Sequence, residues 1–239
     1  MRAIGDEQPG RYRDWVEANR ARCHELSGGR IGYLHIPDMG PEDTPSSTAV
    51  SSPSTTARAW WWMSASTAEA TCRPCCWRSS PAAPRLRLPR WGVPEPYPDE
   101  SPRGPMVAIT NEWAGSDGDI FSHTFKVLGL GPLIGKRTWG GVIGIWPRHQ
   151  LADGTVTTQP EFSFAFDDVG WRVENYGTDP DIEIDITPQD YARGVDTQLD
   201  KAIEVALDRL ATHPPHTPNP DARPRLPVPS LPPRLRAQP

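Results

Sequence analysis

Ser116 is the residue best placed to do chemistry. It lies in the run MVAITNEWAGSDGDIFSHTFKVLG, from Met106 to Gly129. The pattern reads as strand, tight turn and helix. Met106 to Thr110 is apolar and rich in β-branched residues, as a buried strand is. Gly115 supplies a sharp turn, and Ile120, Phe121, Thr124, Phe125 and Leu128 then form a helical apolar face. A serine held at such a turn suits acyl transfer, because N–H groups at a helix start can stabilise an oxyanion. The same serine also suits helix capping, with Asp117 and Asp119 favoured in the first turn by the helix dipole. Capping serines are the commoner kind, so this stretch alone favours the cap.

A serine nucleophile needs a base. The nearest histidine in sequence is His123, seven residues on, or about 10 Å along the helix at the usual rise. It cannot reach the hydroxyl and reads as a packed or surface residue. His24, His35 and His149 stand in no motif and read as structural, while His213 and His216 lie in a proline-rich tail. Cys72 and Cys75 have the spacing of half a zinc site, but no second pair follows, so no metal is expected. The glycines at 129 and 131 lack the strand and helix of a dinucleotide loop, and no cofactor is expected.

The elements around Ser116 follow from local patterns. Tyr12, Trp15, Val16 and Asn19 share one face of a helix over 11–25, ended by Gly28 and Gly29. RIGYLHI (30–36) reads as a strand. Short strands are expected at 133–138, 142–145, 155–158, 161–166, 171–175 and 182–186. Asp196 is expected to cap a last helix carrying Leu199, Ile203, Ala206, Leu207 and Leu210. Of the 29 prolines, 22 fall in residues 41–105 and 213–239, so the globular part is smaller than 239 residues implies. The tail from His213 should be extended. It is either a flexible end or an arm that contacts a neighbouring subunit through Leu226, Val228 and Leu231. The net charge of −5 argues against nucleic-acid partners. No apolar run spans a membrane and no leader opens the chain, which favours the cytoplasm.

The stretch ITNEWAGSDGDIFSHTFKVLGLGPLIGKRTWGGVIGI resembles the nucleophile region of the tricorn proteases, within the carboxy-terminal-processing serine peptidases. The likeness continues through DGTVTTQPEFSFAFDDVGWRVENYGTDPDIEIDITPQDY and appears earlier in RYRDWVEANR and SGGRIGYLHIPDMG. It implies an α/β fold: a mixed sheet with flanking helices, like the ClpP and crotonase folds. Residues 1–29 would be a helix leading from a PDZ-like domain, 30–212 the peptidase subdomain and 213–239 a tail. It implies acyl transfer to Ser116, an oxyanion donor at the N–H of Asp117, and Glu174 supporting a helper serine. That helper serine and the general-base histidine come from an earlier subdomain in the family. Short peptides are the implied substrates, and the intact proteins form homo-oligomers. The isolated chain is then expected to be weakly active or inactive.

Residues 43–83 fit none of this. The segment is rich in Ser, Thr, Ala, Pro and Arg, yet it holds Trp60, Trp61, Trp62 and Trp77. Permitted codons for 59–83, read from the third base of the Ala59 codon, yield LVVDVRFNRGGHVSSLLLEKLARR. That is an apolar strand, a Gly-Gly turn and a helix, as the resemblance requires at this place. The segment is therefore expected to be out of frame and without regular structure, with one family oxyanion glycine lost. A contrasting expectation follows from it: an inactive frameshifted remnant, or a non-catalytic interaction module.

Overall fold

The computed structural model describes residues 5–35, 104–145 and 149–215, the backbone of 36, 59–64, 86–87 and 95–96, and residues 219 and 222. Its centre is a six-stranded sheet. Strands β1 (Ile31–Gly32), β3 (Ala59–Ser64), β6 (Met106–Thr110), β7 (Leu133–Gly135) and β12 (Ile182–Glu183) lie in that order, and β2 (His35–Ile36) also pairs with β3. Every pairing among its described strands is parallel, whereas the family likeness leads one to expect a mixed sheet. Antiparallel pairing is confined to three two-stranded ribbons: β4 (Leu86–Arg87) with β5 (Glu95–Pro96), β8 (Gly144–Ile145) with β11 (Pro160–Phe162), and β9 (His149–Gln150) with β10 (Val156–Thr157).

The sheet corrects the reading of 43–83 at one place. Ala59–Ser64 is a strand, and Trp60 to Met63 pair in register with Met106 to Ile109. A six-residue run dominated by tryptophan has the β propensity to occupy the place between β1 and β6. The rest of 43–83, with Cys72, Cys75 and Cys76, lies outside the described residues. So does nearly all of the tail beyond Pro215.

Strand β6 is buried at all five positions, as a central parallel strand must be. Its side chains alternate between two faces. Val107 and Ile109 join a core with Ile31, Tyr33 and Ile134, covered by helices α1 (Gln8–Ser27) and α4 (Thr197–Thr212). Helix α4 contributes Leu199, Ala202, Ile203, Ala206 and Leu210, and its N-cap Asp196 accepts the Leu199 N–H at 2.8 Å, as its sequence leads one to expect. Arg22 of α1 grips Asp200 of α4 with two bonds of 2.7 Å. The opposite face of β6 meets helix α2 (Asp117–Val127), where Thr110 and Ser122 hydroxyls lie 3.2 Å apart.

The buried side of α2 is Gly118, Asp119, Phe121, Ser122, His123 and Phe125. It is more polar than the apolar face drawn from sequence, and Leu128 stands half exposed beyond the helix end. The strand expected over 171–175 is instead a succession of turns. Strand 30–36 divides into β1 and β2, and the other short strands are shorter than expected. A one-turn helix α3 (Pro188–Ala192) is capped by Thr187.

Candidate active site

Ser116 joins β6 to α2 and has φ 51° and ψ −112°. That backbone conformation is uncommon for any residue with a Cβ and costs about 1–3 kcal/mol. It is held from both sides. The Ser116 N–H donates to the Gly141 carbonyl at 2.9 Å, and the Ser116 carbonyl accepts from Ile120 at 3.0 Å. The hydroxyl makes no capping bond to the helix. Ser116 is thus a helix cap by position but not by chemistry. Asp117 opens the helix, where backbone N–H groups lack an intrahelical acceptor.

The loop that receives the Ser116 N–H is fixed by two carboxylates. Asp119, fully buried, accepts from Gly140 N–H through Oδ1 at 2.9 Å and from Gly141 N–H through Oδ2 at 3.0 Å. Glu174 Oε2 accepts from Val142 at 2.7 Å and from Ile143 at 3.0 Å. Burial pushes the Asp119 carboxyl up from its ordinary value, while bonds from Thr138, Gly140, Gly141 and Ser116 pull it down. The Asn175 N–H donates to the Gly140 carbonyl at 2.7 Å from a residue itself at φ 63°. Ser116 and Glu174 are therefore tied through the single loop 140–143.

Trp139 closes one side of this arrangement. Its N–H donates to the Ala114 carbonyl at 2.9 Å. Its ring lies so close to Gly115 that a Cβ there would stand 2.5 Å from Cε3, and a Cβ at Gly141 would stand 2.9 Å from Cζ3. With the ring in this position there is no room for a Cβ at either glycine.

His123 sits on α2, apart from Ser116 as its spacing requires. Its Nε2 is 3.0 Å from Asp168 Oδ1, and its ring packs edge-on to Phe166 with centroids 4.4 Å apart. His35 is buried against Tyr12 and Trp15, bonded to the Tyr12 hydroxyl, and burial lowers it to about 4. A cleft of about 760 Å³ opens beside Glu174, with His123, Asp168, Val173 and Tyr176 among its walls. Among the described residues no group of three or more His, Cys, Asp or Glu could hold a metal.

Sequence reasoning singles out Ser116, Asp117 and Glu174 but misses Asp119 and Trp139. Asp119 reads in sequence as a dipole-favoured helix start. The available signal is its i, i+3 spacing to Ser122, which puts two polar groups on the face that packs against the sheet.

Comparison with known proteins fits this geometry. The family model described as Peptidase family S41 matches residues 64–184. The chain is 46% identical over 219 residues to a protein named Tricorn protease from Thermoplasma acidophilum, covering 87% of this chain and 19% of that protein. It is 44% identical over 219 residues to Tricorn protease homolog 1 from Streptomyces coelicolor, covering 90% and 20% respectively. The crystal structure of the tricorn protease superposes with a TM-score of 0.81 at 47% identity, over 87% of this chain and 20% of that one. Mature CPAF, 14% identical with a TM-score of 0.58 over 77% of this chain and 52% of that one, shares the fold. The chain spans about a fifth of the length of the curated relatives it matches. No helix among the described residues is long and apolar enough to cross a membrane. With a match over just more than half its length and the tricorn fold around Ser116, the chain belongs to Peptidase family S41, a family of serine peptidases.

Proposed function

We propose that this domain cleaves peptides by acyl transfer to Ser116. The observation that carries the proposal is the Ser116 backbone: a strained, positive-φ serine at a helix start, with its hydroxyl unspent on capping. A serine in this posture presents Oγ outward from a strand-to-helix elbow. The Asp117 N–H serves as an oxyanion donor. Glu174 fixes the loop through Oε2, and its carboxylate orients and polarises the proton relay. No histidine among the described residues is bonded to Ser116 in any hydrogen bond given above, so the base enters from another segment. Short peptides are the substrates, the protein works as a homo-oligomer, and its compartment is the cytoplasm. The chain by itself is then weakly active or inactive.

The test is labelling with a fluorophosphonate probe, with and without added imidazole as a substitute base, and peptide mapping of the adduct. Slow or absent labelling of the chain alone is expected. Imidazole should accelerate labelling at Ser116, and Ser116→Ala should abolish it. A folded chain with no Ser116 adduct under either condition overturns the proposal. That outcome would favour the non-catalytic module.

A further inference from the structure

Trp139 is a large apolar side chain that the fold leaves uncovered and that lies against Gly115, the residue before Ser116. It is 67% exposed. Among the described residues no hydrogen bond or ring contact engages its indole. The ring occupies space that two glycines leave open, and a backbone bond anchors the residue that carries it. Gly115 immediately precedes Ser116, and Gly141 supplies the carbonyl that accepts the Ser116 N–H. The ring packs on both, and the Trp139 N–H anchors the same strand of chain to Ala114. The indole thus lies against the residue that immediately precedes Ser116. Consecutive Cα atoms are about 3.8 Å apart, so any acyl group delivered to Ser116 brings its neighbouring side chains to this ring.

We propose that Trp139 is a specificity-determining contact, whose indole receives an apolar, preferably aromatic, side chain of the peptide next to the scissile bond. The inference rests on the reading of Ser116 as the nucleophile, since that reading puts the peptide here. The chemistry is that of an aromatic platform. An exposed ring gains buried apolar area and a favourable ring contact when a second ring or a branched aliphatic group covers it. The substitution pattern that the site forbids is equally definite. A Cβ at position 115 or 141 would displace the ring, so the seat exists only while both residues are glycine.

The experiment is a binding titration of the whole chain, followed by NMR of the indole Nε1–H resonances, with Trp139 assigned from Trp139→Phe. The probes are acetyl-Ala-Phe-Ala-amide, acetyl-Ala-Arg-Ala-amide and acetyl-Ala-Gly-Ala-amide. The Phe peptide is expected to shift the Trp139 resonance saturably, with the Gly peptide bound about tenfold more weakly. Trp139→Ala should weaken the Phe peptide to the level of the Gly peptide, while Trp139→Phe retains most of the preference. The resonance of Trp15, whose ring packs on His35 and Tyr12 along helix α1, should not move. An unmoved Trp139 resonance overturns the inference. So does equal binding of the Phe and Gly peptides, or tighter binding of the Arg peptide. Binding requires no acylation, so failure here is distinguishable from failure of fluorophosphonate to label Ser116.

Discussion

Asp119 and Glu174 divide between them the four consecutive N–H groups of residues 140–143. The two carboxylates come from the first turn of α2 and from a turn 55 positions later. Between them they hold the one carbonyl, that of Gly141, that accepts the Ser116 N–H. The strained posture of Ser116 is therefore maintained from outside its own turn.

Asp119→Asn should cost more than Glu174→Gln. The amide at 119 replaces one acceptor by an NH2 facing a backbone N–H in a fully buried place, a loss of about 1–3 kcal/mol. Glu174 is only partly buried, and a glutamine side chain at that position keeps an oxygen able to face Val142 and Ile143. Urea unfolding of both variants beside the parent chain measures the order, and a larger loss in Glu174→Gln would refute it.

The Gly140 and Gly141 amide resonances should titrate together with the Asp119 carboxyl. Burial raises that carboxyl above its ordinary 3.8, so the common midpoint should lie above that value. The folded chain keeps the proton to higher pH than the unfolded chain. The stability from this group is complete below the unfolded value and lost as pH rises through the folded one. Asp119→Asn should leave both amides flat across the acid range.

Ser116→Gly should stabilise the chain while removing reactivity. Glycine adopts φ 51° without the Cβ penalty, and the relief of about 1–3 kcal/mol exceeds the roughly 0.5–1 kcal/mol of extra chain entropy. Ser116→Ala keeps the Cβ and should show no such gain. Thermal unfolding of the two variants separates strain from the loss of the hydroxyl. Equal stability in both would show that the elbow is unstrained.

His35 should make the fold acid-sensitive. Burial lowers it from 6.5 to about 4, so the unfolded chain binds the proton first as pH falls. Stability from neutral His35 is present above 6.5 and is lost as pH drops toward 4, on the order of 3 kcal/mol across the window. Urea unfolding at about pH 7.5 and about pH 5 gives the slope, which His35→Gln should flatten.

The elements that carry the site are written in local pattern. Met106–Thr110 has the composition of a buried strand and lies at the sheet centre, buried at every position. The Asp196 cap and the apolar spacing through Leu210 specify α4. The seven-position step from Ser116 to His123 excludes that histidine as base by helix geometry alone, and the family likeness points to Glu174. Local pattern misleads where the partner is distant. Residues 171–175 alternate like a strand, but Glu174 bonds across to the loop at Val142 and Ile143 and the chain turns there. Ala59–Ser64 carries no strand period, yet it pairs with β1 on one side and β6 on the other, because those two strands leave a place one strand wide between them. Periodicity reports which face of an element is buried. It does not report which backbone group arrives from tens of residues away. The φ of Ser116, the sharing of 140–143 by two carboxylates and the glycine seat of Trp139 all depend on such arrivals, so only the folded chain decides them.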